Sequence, residues 1–125
     1  MFETVRQQTK LIIDGLLHRC NIAGVPYYIV NTGGHDGCAI LCKVYVAGQG
    51  ACLYGQMRDM DGELKWYNVF EDGIKHESEA DQYIQGEISM DPDLWVIEFE
   101  LNEFLNPFDN DDFLNMTWDL PRLRL

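Results

Sequence analysis

Apolar and polar residues recur with two different periods along this chain. Val5, Ile12, Ile13, Leu16, Leu17, Cys20 and Ala23 follow i, i+3, i+4 and i+7 spacing, the stripe of an amphipathic helix over residues 3–23. Glu3 near its start and Arg19 in its last turns suit the helix dipole, Gly24 suits a left-handed cap, and Pro26 blocks continuation. Gly15 inside this helix costs about 1 kcal/mol against Ala, and close packing against a sheet is the expected reason. After Pro26 the period drops to two. YYIVN (27–31) is the first predicted strand and TGGHDG (32–37) a turn. CAILCKVYV (38–46) has a continuous apolar face of Cys38, Ile40, Cys42, Val44 and Val46, which predicts a central strand. ACLYGQM (51–57) and LKWYNVF (64–70) follow as strands, separated by a polar turn whose Asp61-Gly62 pair is a hairpin signal.

The clearest stretch is SEADQYIQGEISMDPDLWVIEFEL, residues 78–101. Ser78 is the expected N-cap, with Glu79 and Asp81 in the first turn where the dipole favours negative charge. Ala80, Tyr83, Ile84 and Ile88 fall at helical spacing. Pro92 biases Asp91 away from helical dihedrals, so the helix is expected to end near Met90. Trp95, Ile97, Phe99 and Leu101 then share one face of a strand, while Glu98 and Glu100 point away. The order is helix, four strands, helix, strand. Short links imply mainly antiparallel pairing, and two amphipathic helices on one sheet face predict an α+β two-layer sandwich. The expected organisation is one α+β domain over residues 1–101 and an acidic, aromatic tail over 102–125. That tail holds Phe104, Phe108, Phe113 and Trp118 without a steady period. It is expected to fold back and bury its aromatics, because large apolar groups left in water are costly; docking on a partner is the alternative.

Charge sharpens this picture. The 125-residue chain carries a formal charge of −12, and the imbalance is local, since no Lys or Arg stands between Lys75 and Arg122. Such a surface repels nucleic-acid phosphate and favours a basic protein partner. No run approaches the roughly 20 apolar residues of a membrane span, and the N-terminus lacks the basic-then-apolar order of a signal peptide. A cytoplasmic location is expected, with Cys20, Cys38, Cys42 and Cys52 reduced.

Candidate chemistry is sparse. Cys38 and Cys42 share a strand face beside His35, but strand spacing puts their sulfurs about 13 Å apart and no CxxC is present, so buried free thiols are expected and no metal or cofactor. His35 and Asp36 in GGHDG lack the mutual orientation a base and its partner need. Asp109 to Asp112 lack the spacing of a calcium loop. The first residues to test are Asp91, Pro92, Asp93 and Trp95, a rigid acidic corner beside an aromatic, suited to gripping a Lys or Arg. Asp36 joins them as an acidic candidate, and Lys43 and Arg58 are the nearest cations, which pairing with surrounding acids would also explain. The rival reading is a small enzyme or metal-binding protein built on His35, Asp36 and Asp61.

The runs LLHRCNIAGVPYYIV, DGCAILCKV, GQMRDMDGELKW and ESEADQYIQGEISMDPDLWVIEFE together resemble an alphaproteobacterial family, domain of unknown function number fourteen-ninety-one. The resemblance covers about residues 10–100, with EADQYI followed by DPDLWVIE as its most specific part. It implies kinship and bacterial origin but no activity. The tail from Asn102, His35 and most of the cysteines depart from the family's pattern.

Overall fold

The computed structural model describes residues 7–110. The elements run α1 (Thr9–Ala23), β1 (Tyr27–Asn31), β2 (Ile40–Val46), β3 (Gly50–Arg58), β4 (Leu64–Asn68), α2 (Glu77–Met90), β5 (Trp95–Leu101) and a short 3-10 turn, η1 (Pro107–Asp109). This is the expected order of an α+β domain with a five-stranded sheet and two helices. Three of the four strand pairings are antiparallel.

The helix ends obey local rules with two shifts. Gly24 closes α1 at φ 77°, its N–H donating to the Cys20 carbonyl, the left-handed cap that glycine adopts without strain. The helix begins at Thr9, later than the periodicity suggests, because Gln7 is drawn into side-chain bonds elsewhere and Lys10 N–H takes the His35 carbonyl (2.9 Å) as its cap. Val5 lies outside the described residues. The N-cap of α2 is His76, not Ser78: its ring nitrogen accepts from Ser78 N–H at 3.2 Å. Asp91 caps the other end, as Pro92 requires.

The sheet order is β1-β5-β2-β3-β4. The last strand in sequence therefore enters the middle, antiparallel to β1 and parallel to β2 in the register Ile40↔Trp95 to Val46↔Leu101. Two strands joined by a tight turn would have paired; the link over 32–39 instead lets β5 slot between β1 and β2. β5 suits that place because Val96 is as buried as Ile97 and Phe99, and strands apolar on both faces belong in a sheet interior.

The two helices take opposite faces of the sheet, in contrast to the expected single helical layer. Ile13, Leu16, Leu17 and Cys20 of α1 pack with Ile40, Cys42, Val44, Ile97 and Phe99. Ala80 and Ile84 of α2 pack with Leu41, Leu53, Ala51 and Val96. The reason is the alternation of side chains along β2 and β5: both faces are apolar, so one layer of helices would leave Leu41, Leu53 and Val96 in water. Gly15 also departs from expectation. It faces solvent, and a Cβ there would meet nothing within 4 Å.

Beyond β5 the chain turns back under α1's face. Phe104, Leu105 and Phe108 pack against that core. Phe108 stacks on Trp66 with centroids 5.4 Å apart and meets Phe99 edge-on at 5.9 Å. Phe113 and Trp118 lie outside the described residues.

Candidate functional site

One end of the sheet gathers most of the polar residues singled out by the sequence. The starts of β2 and β5 lie side by side there because the two strands are parallel. The end of β3 joins them because β3 runs antiparallel to β2. The 32–38 loop, the Asp91–Asp93 corner and the β3–β4 turn holding Arg58 and Asp61 consequently share this end.

The corner is rigid. Asp91 Oδ1 accepts from Asp93 N–H (3.2 Å), and the Asp91 carbonyl accepts from Leu94 N–H (3.1 Å). Asn31 Nδ2 donates to the carbonyls of Pro92 (3.2 Å) and Leu94 (2.7 Å), tying the end of β1 to the corner. The Gly33–Gly34 loop lies flat on it. Gly34 N–H donates to the Asp93 carbonyl at 3.2 Å, and the Trp95 indole N–H donates to the Gly34 carbonyl. A Cβ on Gly33 would stand 2.2 Å from the Asp93 carbonyl oxygen and 2.7 Å from the Trp95 ring, so glycine is required by close approach. Trp95 is 4% exposed. Its ring anchors the loop from below, and Asp91, Pro92 and Asp93 are exposed at the corner.

A polar clamp that the periodicity does not signal fixes the other side of the loop. Thr9, fully buried, donates its hydroxyl to the Cys38 carbonyl (2.7 Å) and accepts from Cys38 N–H (3.2 Å). Gln7 Nε2 donates to the same carbonyl (2.8 Å), and Gln56 Nε2 donates to Gln7 Oε1 (2.9 Å). Gln56 Oε1 accepts from Ile40 N–H at 2.9 Å. The only trace of this clamp in the sequence is that polar Thr9 and Gln56 sit where apolar residues would fit the patterns.

Asp36 lies in the clamped loop, its carbonyl accepting a weak bond from the Cys38 thiol (3.7 Å). Arg58 donates to the Gly62 carbonyl (2.6 Å), closing the β3–β4 turn, and Asp61 N–H donates to Asp59 Oδ1 (2.9 Å). Among the described residues no group of three or more His, Cys, Asp or Glu is arranged to hold a metal ion.

Lys43 sits apart from this end, mid-strand beneath α2. It is 1% exposed, and its ammonium meets Glu77 at 2.7 Å, Asp81 at 2.8 Å and Glu98 at 3.1 Å. Burial pulls its pKa down, but the hydrogen bonds it donates to Asp81, Glu77 and Glu98 outweigh that and hold it above the ordinary lysine value. Lys43 is therefore a buried counter-ion, with three carboxylates around one ammonium and net negative charge left at the surface above it. The thiols behave as core groups. Burial raises Cys20 to about 11, pushes Cys42 well above the usual thiol value, and raises Cys52. Two shallow pockets open elsewhere: one of about 360 Å³ between Trp66, Tyr67 and Asn106, and one of about 300 Å³ between Tyr45, Gln49 and His76.

Fold and site together define a small α+β domain with a helix on each face of a mixed sheet and a braced acidic corner at one end. The family described as "Protein of unknown function (DUF1491)" matches residues 8–109, and the chain belongs to it. Solved structures share the fold. A crystal structure of a DUF1491 family protein from Caulobacter crescentus superposes with TM-score 0.67 at 24% identity, covering 83% of this chain and 94% of that one. A protein from A. tumefaciens in solution superposes with TM-score 0.62 at 22% identity, covering 80% and 90%. An NMR structure of a C. crescentus family member gives 0.64 at 25%, covering 74% and 84%. No curated protein matches. No helix among the described residues is long and apolar enough to cross a membrane.

Proposed function

We propose that this domain is a non-catalytic cytoplasmic interaction module that receives a basic protein partner on its acidic surface, with Asp91 and Asp93 as the principal contacts. The observation that carries this reading is the state of the cations. Lys43, seated under α2, is buried and already outnumbered three to one by carboxylates. Among the described residues no ion pair reaches Asp91, Asp93 or Glu100, all exposed. Exposed carboxylates on a rigid backbone attract a cationic partner with little ordering cost and speed its encounter. Trp95 supports the corner from within, and Asp36 borders it.

The test is capture of a partner by wild type and by the Asp91→Asn, Asp93→Asn double variant, with elution by salt. The expected result is a partner that elutes as salt rises and is retained at least about threefold less by the double variant, as loss of two charged contacts implies. A partner retained equally by the double variant and by a chain ending at Asn110 would overturn the reading.

A further inference from the structure

At the outer edge of β1, backbone and charge point to the same kind of ligand. Pro26 and Glu100 form a hydrogen-bonded pair, with Glu100 N–H donating to the Pro26 carbonyl at 3.2 Å. Narrow and wide pairs alternate along an antiparallel ladder, so Tyr28 bonds inward to β5 and the N–H and C=O groups of Tyr27 and Ile29 point outward. Among the described residues no other strand lies on that side. YYIVN carries no Lys, Glu or Pro, the residues that usually guard an edge. The register shift between Ile29 and Asn31 limits the open run to Tyr27–Ile29. Tyr28 is 66% exposed.

The chemistry around this edge selects the occupant. Tyr28 stands directly opposite Glu98, on the α2 face, and Glu100 is exposed two pairs further along. The Asn31 end abuts the Asp91–Asp93 corner through the Asn31 bonds to Pro92 and Leu94. A strand added outside β1 would place alternate side chains beside Tyr28, within a lysine's reach of Glu98 and Glu100, and would end at the corner. A lysine there also meets the open Tyr28 ring. A second copy of this chain, at formal charge −12, would bring like charge to every one of these groups.

We propose that β1 takes up an extended basic peptide by strand addition, its backbone pairing with Tyr27 and Ile29 and its Lys or Arg residues lying on the α2 face toward Glu98, Glu100, Asp91 and Asp93. This rests on the reading of the acidic surface as a receiver of a basic partner, and specifies how that partner binds.

The experiment uses the full chain, isotope-labelled, and two probes: a decapeptide alternating Lys with Thr and Val, and the same peptide N-methylated at every backbone amide. The first probe is expected to shift the amides of Tyr27–Asn31 and those of the Asp91–Asp93 corner. N-methylation, which removes the peptide's pairing groups and keeps its charge, is expected to weaken binding at least about tenfold. Tyr28→Ala, at an exposed side chain, is expected to weaken it without altering the fold. Equal binding of both probes with shifts confined to the corner would overturn strand addition and leave the acidic-partner reading intact. No shift with either probe would overturn both. Shifts of the β1 amides on raising protein concentration alone would identify a second copy as the occupant and overturn the proposal.

Discussion

The two faces of the sheet are built on different physics. Beneath α1 lies an apolar core in which fourteen buried residues, among those described, pack together, three of them thiols, with Phe108 folded in from beyond β5. Beneath α2, among the described residues, only seven buried apolar residues meet, and Lys43, 1% exposed, stands beside them with its three carboxylates. Stability on the first face scales with apolar area removed from water. On the second, a modest apolar contact is joined to a charge cluster whose desolvation cost roughly matches its attraction. The α1 face therefore sets whether the chain folds. The α2 face sets where α2 sits and which sign of charge the surface shows.

Substitutions on the two faces should separate these roles. Phe99→Ala, at a ring with no exposure and an edge contact to Phe108, is expected to cost about 3–5 kcal/mol in urea unfolding. A loss below about 1 kcal/mol would mean the α1 face is not the dominant core.

Lys43→Met is expected to cost less, about 2–3 kcal/mol. It leaves three carboxylates together, but each is partly exposed and recovers hydration. Its signature is the pH dependence. Lys43 holds its proton in the folded chain to higher pH than in the unfolded one, where lysine titrates near about 10.4. Its contribution is fully present below that value. Above it the unfolded chain binds fewer protons, and stability falls by up to about 1.4 kcal/mol per pH unit until the folded lysine titrates. The Met variant should lack this part of the slope. Tyr54, whose pKa is also raised, adds a decline of the same sign to both proteins, so the difference between them isolates Lys43. Equal slopes would remove Lys43 from the ledger of pH-dependent stability.

The thiols test the dryness of the α1 face directly. Cys38, half-buried in the clamped loop, is expected to react with a disulfide reagent at pH 8 at least about 100-fold faster than Cys20, Cys42 and Cys52. Four equal rates would mean that face opens readily. The smallest effect has the opposite sign. Gly15→Ala, on the outer side of α1 with open space around the new methyl, is expected to stabilise by about 0.5–1 kcal/mol in thermal unfolding. Destabilisation there would show that α1 is covered on its outer side.

The acidic corner was half legible. Asp91-Pro92-Asp93 reads from the chain because proline stops a helix by local sterics. Trp95 reads as a core residue and also as a partner contact, and burial under the Gly33–Gly34 loop decided for the core. Lys43 looks like a surface cation in a strand, and nothing local says that α2 will close over it. The Thr9–Gln7–Gln56 clamp joins segments far apart in sequence, and its only trace there is polar Thr9 and Gln56 at positions the apolar patterns would fill.

Element type, order and most boundaries follow from the chain alone, because the period of apolar positions, Gly24 and Pro92 act within a turn or two of themselves. The affiliation with the DUF1491 family was legible on the same ordered runs. Tertiary structure decided the rest. Strand order, the parallel pairing of β5 with β2, the helices on opposite faces and the burial of Lys43 all depend on which apolar faces meet across the sheet. That is a competition among distant surfaces for the same water-free volume, and no stretch of residues carries its outcome by itself.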